Sequence, residues 1–84
     1  MSDKELETLF SDSLKKIAPD TEPEKLQPDD PIRQTLALDS FDFLQFIILV
    51  SENLKISIPE EDYSKVTTLR GLNNYIKAKL LPAA

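Results

Sequence analysis

Eighty-four residues with fifteen acidic and ten basic side chains, a formal net charge of −5, suit one small domain spanning 1–84, with room for a few short helices but not for an enclosed multi-residue active site. The acidic balance disfavours nucleic-acid phosphates and anionic membrane surfaces as partners and suits docking on basic protein patches. With no Cys and no His, the chain lacks disulfides, thiolate or imidazole metal ligands, a Cys nucleophile and the usual serine-hydrolase base, which argues against independent catalysis.

Met1-Ser2-Asp3-Lys4-Glu5 is charged from the outset and no apolar signal core follows, so a cytoplasmic protein is expected. Leu6, Leu9, Phe10, Leu14 and Ile17 recur at helical spacing and predict an amphipathic helix from Asp3 to about Ile17, with Ser2 or Asp3 as N-cap. Pro19, Pro23, Pro28 and Pro31 then punctuate a polar segment that runs to about Leu38. Proline removes backbone donors and turns the preceding residue away from helix, so this segment reads as a long, mostly irregular loop. Leu26, Ile32, Leu36 and Leu38 are spaced to anchor it against the helices.

From Ser40 to about Leu54 a second helix is expected, with Asp39 as N-cap and Asp42 in the first turn, where the dipole favours negative charge. Phe43, Phe46, Ile47, Val50 and Leu54 form a core stripe. Phe41, Leu44 and Ile48 lie on another side, where they serve either ordinary packing or partner docking. The apolar block 43–50 is broken by Gln45 and is far short of the roughly twenty residues that span a bilayer, so no membrane insertion is expected. Lys55-Ile56-Ser57-Ile58 is a connector, too short for a strand.

Pro59 followed by Glu60-Glu61-Asp62 opens a short third helix ending near Lys65, its acids being solvated helix-start charges or partner contacts. Thr67 or Thr68 caps a last helix with Leu69, Leu72, Ile76 and Leu80 on one face and Arg70, Lys77 and Lys79 outward. Gly71 either weakens this helix by roughly 1 kcal/mol relative to Ala or permits a close contact. Pro82 ends the pattern. The fold class is all-α: a small four-helix bundle, three main helices plus a short third one, with a long first loop.

Leu36-Ala37-Leu38-Asp39-Ser40-Phe41 places a serine directly behind an aspartate where the Pro-rich loop becomes helix. A hydroxyl there stays accessible, and a phosphate on it would face unpaired N–H groups and the positive end of the helix dipole. On helix-cap grounds alone, Asp39 is merely an N-cap and Ser40 an ordinary first-turn residue. The stretch resembles the prosthetic-group site of acyl carrier proteins, whose usual pattern reads Leu-Gly-x-Asp-Ser-Leu. Ile58-Pro59-Glu60-Glu61-Asp62, Val66-Thr67-Thr68-Leu69 and Asn74-Tyr75-Ile76 stand at that family's places relative to the serine.

The resemblance implies a carrier rather than an enzyme. Ser40 would receive 4'-phosphopantetheine from a phosphopantetheinyl transferase that uses coenzyme A, and Asp39 would help that transferase hold Mg2+. The arm's thiol would then bear acyl intermediates of fatty acid, polyketide or related lipid biosynthesis as thioesters. Acyl-loading and acyl-processing enzymes would be the further partners of a monomeric carrier, meeting it at Phe41, Asp42, Leu44, Ile48, Glu52, Glu60 and Glu61.

The departures from the pattern matter too. Ala37 replaces the Gly, Phe41 replaces the Leu, and Gln45 and Ser51 stand where the family typically has acids, which suggests a specialised member whose docking leans more on apolar contact. Phe43, Phe46 and Tyr63 add bulk where the family shelters an acyl chain, so a smaller or differently shaped cavity is expected. An aminoacyl or peptidyl carrier shares the attachment chemistry, and an unmodified helical interaction module shares only the fold. A metal-dependent hydrolase would need a site built from carboxylates alone, and the spacing offers no convincing cluster.

Overall fold

A computed structural model describes residues 3–80, which form α1 (Asp3–Ile17), a 3₁₀ turn (Pro23–Lys25), α2 (Ile32–Thr35), α3 (Ser40–Leu54), a 3₁₀ helix (Glu60–Val66) and α4 (Leu69–Leu80). The expected all-α architecture is present: α1 packs on α3, and α4 packs on the 3₁₀ helix that takes the place of the short third helix. Ser2 and Pro82, read as a candidate cap and a stop signal, lie outside the described residues.

The core follows from the two apolar stripes. Leu6, Phe10 and Leu14 of α1 meet Phe46, Ile47 and Val50 of α3, and Leu72 and Ile76 of α4 complete the interior with Ile58 and Val66. Each such side chain contributes roughly 1.5–3 kcal/mol by leaving water. Phe46 is fully buried, set edge-on to Phe10 at 6.3 Å and tilted against Phe43 at 6.4 Å. Leu80 departs from the expected face: it is 40% exposed, and the three residues before it in the last turn of α4 are exposed too.

The long loop is more ordered than its prolines suggest. Leu26, Ile32 and Leu38 are buried and Leu36 is half-buried against the core, so the anchors hold. Two short helical pieces form within it, one started by Pro23 at an early helical position and one directly after Pro31, both places where a missing N–H costs nothing. Backbone bonds then fasten the loop to the start of α4. The Ile32 N–H donates to the Thr67 carbonyl at 2.8 Å and the Arg70 N–H to the Pro28 carbonyl at 2.9 Å, while Pro31 and Thr68 form an isolated antiparallel bridge. The exposed Arg70 guanidinium clasps Asp29 through Nε at 2.6 Å, which raises its pKa.

Asp62, expected to be a solvated charge, is instead tied inward. The Tyr75 hydroxyl donates to its Oδ2 at 2.6 Å and Lys65 lies 3.3 Å from its Oδ1; the Tyr75 bond, with Lys65 adding to it, holds the carboxyl below the ordinary Asp range. Burial, reinforced by Asp62, pushes the Tyr75 phenol up to about 12. Because that pKa is raised above its unfolded value near 10, the stabilisation is complete below pH 10 and is lost as pH rises from about 10 to about 12. The stability gap between the wild type and Tyr75→Phe should therefore narrow across that window in urea titrations, and a gap independent of pH would contradict the assignment.

Candidate functional site

The turn into α3 is built by three local devices. Asp39 adopts an extended conformation and its Oδ1 accepts the Asp42 N–H at 2.7 Å, the N-cap bond, worth about 1 kcal/mol. The Leu38 N–H donates to the Arg33 carbonyl at 2.8 Å and the Ala37 N–H to the Gln34 carbonyl at 3.3 Å, folding residues 36–38 back onto α2. Ala37 takes φ 55°, so the left-handed bend survives where the acyl-carrier pattern has glycine. That conformation costs an L-residue about 1–2 kcal/mol, partly offset because alanine loses less backbone freedom on folding. Ala37→Gly should accordingly raise stability by up to about 1 kcal/mol, read as a higher urea midpoint at unchanged slope; a lower midpoint would mean that the strain is absent.

These devices leave Ser40 exposed as the first residue of α3, beside the exposed Asp39. A groove of about 500 Å³ opens at Ser40, walled by Phe43 and Leu44 of α3, by Arg33 and Gln34 of α2, and by Glu60, Tyr63, Ser64 and Thr67. Phe43 and Tyr63 line this groove, whereas Phe46 lies in the core. On the other side of the turn a second hollow of about 450 Å³ is bordered by Ala37, Leu38, Asp42 and Lys25.

The residues expected to meet partners do not all gather here. Phe41 projects beside Ser40 and is 64% exposed. Leu44 and Ile48 are half-buried, and neither belongs to the core cluster or to the side chains packed against it, so the second stripe of α3 stands apart from the interior. Asp42 is half-buried and borders the second hollow; Glu60 lines the groove, and Glu61 is exposed next to it. Glu52 is exposed but twelve residues along α3, about 18 Å from Ser40 at the helical rise. Ser51 turns its hydroxyl back onto the Ile48 carbonyl at 2.9 Å.

Nothing local in the sequence marks Arg33 or Ser64 as site residues; the fold alone brings them to the groove. Among the described residues no group of three or more acidic side chains could hold a metal ion, and no helix is long and apolar enough to cross a membrane.

A helical body that offers an exposed hydroxyl at the edge of a side groove has the build of a carrier for a covalent arm. Residues 4–76 match the family model described as the phosphopantetheine attachment site, and the chain belongs to that family. Its cofactor is 4'-phosphopantetheine, held covalently, and the exposed hydroxyl and adjoining groove are compatible with such a group. The chain is 29% identical over 59 residues to an acyl carrier protein of Thermosynechococcus vestitus, covering 70% of this chain and 73% of the relative. It is 26% identical over 58 residues to an acyl carrier protein of Bdellovibrio bacteriovorus, with 69% and 74% covered. Over 55 residues it is 29% identical to a Schizosaccharomyces pombe protein named as a mitochondrial acyl carrier protein; there the match covers 66% of this chain and about half of the relative, 49%. The protein is a carrier with a phosphopantetheine attachment site, similar in sequence to acyl carrier proteins.

Proposed function

We propose that Ser40 bears the arm and that the protein presents acyl intermediates of fatty acid, polyketide or related lipid biosynthesis to successive enzymes. The observation that carries this reading is the exposed Ser40 hydroxyl at the first position of α3, directly after the capping Asp39 and inside the matched span 4–76. In the loading step the Ser40 Oγ attacks the phosphorus of coenzyme A that bears pantetheine. A new P–O bond forms to Oγ, the pyrophosphate P–O bond breaks, adenosine 3',5'-bisphosphate leaves with the electron pair, and the serine proton passes to a base on the transferase.

The chain has no histidine, so the Ser40 hydroxyl is a weak nucleophile by itself and the base is assigned to the transferase. Asp39 contributes a hard carboxylate oxygen toward the transferase's Mg2+ while its other task, capping α3, fixes where Ser40 sits. Once attached, the arm supplies a terminal thiol for thioester formation. The chain's own residues then hold and present the arm, which needs no catalytic machinery. A cytoplasmic, monomeric single domain without nucleic-acid partners completes the reading.

Docking is assigned to the apolar side chains flanking Ser40 more than to charge. Phe41 offers a large exposed ring, whereas Gln45 and Ser51 supply no charge, and rim charges mainly speed encounter while aromatic anchors dominate affinity. Phe41→Ala should weaken binding to the cognate transferase roughly tenfold or more, an effect of about 1–2 kcal/mol, and Asp42→Asn should do less. Titration of both variants decides it, a larger loss for Asp42→Asn reversing the order. The whole reading is tested by incubating the protein with coenzyme A, Mg2+ and a broad-specificity transferase, then measuring intact mass and mapping the modified peptide. One adduct on residue 40 supports it; an unmodified chain favours a helical interaction module instead.

A further inference from the structure

The groove beside Ser40 contains a cation with no task in the fold. Among the described residues that line it, Arg33 and Glu60 are the charged ones, and Arg33 is the one positive group. Its exposed side chain enters no ion pair or hydrogen bond among the described residues, in contrast to Arg70, which Asp29 holds. Arg33 is nevertheless fixed at the backbone: its carbonyl accepts the Leu38 N–H at 2.8 Å, two residues before Ser40, so the α2 stub is stitched to the turn that presents the hydroxyl.

A phosphodiester on Ser40 would bring a negative charge into surroundings already supplied with carboxylates, Asp39 beside it and Glu60 in the same groove. The end of α3 can neutralise only part of it. The Asp42 N–H, one of the first-turn groups without an intrahelical partner, is already taken by Asp39 Oδ1, which leaves fewer free donors at the helix start. A guanidinium is the side chain best matched to a phosphate, since its planar fork can donate two parallel hydrogen bonds.

We propose that Arg33 engages the phosphate of the arm on Ser40 and directs the arm along the groove between α3 and the 3₁₀ helix. The inference rests on Ser40 being the attachment point. Arg33 is then a positioning residue. The contact is exposed to solvent, so salt loosens it, and lysine, a point charge without the fork, replaces it only in part.

The test uses the loaded protein, with loading first verified by intact mass. The chain has two arginines, so the side-chain Nε–Hε NMR signals are readily assigned. Loading should shift the Arg33 Nε–Hε signal and leave that of Arg70 in place. The phosphorus-31 resonance of loaded Arg33→Gln should move toward its position in the urea-unfolded loaded protein, with Arg33→Lys in between and with high salt moving the wild type the same way. A protein that loads fully yet keeps the Arg33 signal of the unloaded form, or an Arg33→Gln variant whose phosphorus resonance matches the wild type, overturns the proposal. Absence of any adduct is a different failure, because it removes the attachment point itself. Arg33 is exposed, so its variants should fold, which their backbone amide spectra check directly.

Discussion

Ser40→Ala should abolish loading completely while leaving the fold intact. Intact-mass spectra after incubation with coenzyme A, Mg2+ and transferase should show no adduct on the variant under conditions that convert all of the wild type. Ser40 is exposed, caps nothing and makes no side-chain contact on which the core depends, so urea unfolding should agree with the wild type within about 0.5 kcal/mol. Substituting its neighbour separates the two jobs of the turn. Asp39→Asn keeps an oxygen for the Asp42 N–H, and Asn is as good an N-cap as Asp, so stability should stay nearly level. The amide is a poorer ligand for a hard cation than a carboxylate, so loading should slow markedly. If Asp39→Asn loads at the wild-type rate, the aspartate is a cap and nothing more. Should Ser40→Ala still gain the adduct, the arm sits on another hydroxyl and residue 40 is not the tether.

Most of this site could be read from the sequence because its determinants are local. The limits of α1 and α3 follow from apolar periodicity and from Asp39, whose capping role needs only the residue three positions on. Thr68, one of two expected caps for the last helix, accepts the Gly71 N–H at 3.0 Å by the same rule. The loop anchors were legible as isolated leucines and an isoleucine in a polar stretch, which have no reason to be there unless buried. What escaped depends on chain segments far apart. Arg70 and Asp29 are 41 residues apart, the Tyr75 hydroxyl reaches Asp62 across two elements, and the Pro31–Thr68 bridge exists only once the loop has crossed to the start of α4. No periodicity marks such pairs. Arg33 belongs with them, since its significance comes from sharing a groove with Ser40. Leu80 keeps the helical period of Leu72 and Ile76, yet it sits in a last turn that is exposed throughout.

Gly71→Ala should destabilise the protein, against the helix-propensity ranking. In an isolated helix the change would add about 1 kcal/mol of stability. Here a Cβ at residue 71 would stand 2.5 Å from the Lys65 carbonyl oxygen and 3.2 Å from Thr68 Oγ1. The first obstacle is backbone, at the end of the 3₁₀ helix, and cannot swing aside like a side chain. The second is the hydroxyl that caps α4. Relieving the overlap by moving α4 costs about 1–3 kcal/mol for overpacking, and losing the cap adds about 1 kcal/mol, so the net loss should be about 1–3 kcal/mol. In a domain of this size that lowers the melting temperature by roughly 5–15 °C. The damage should also reach the groove, because Tyr63, Ser64 and Thr67 on its wall belong to the segment that must give way. Slower loading of Gly71→Ala at a temperature where it remains folded would show that the close approach of α4 to the 3₁₀ helix sets the shape beside Ser40. A melting temperature at or above the wild type would instead mean that the two elements have room to separate, and the glycine would then be a tolerated weakness in α4.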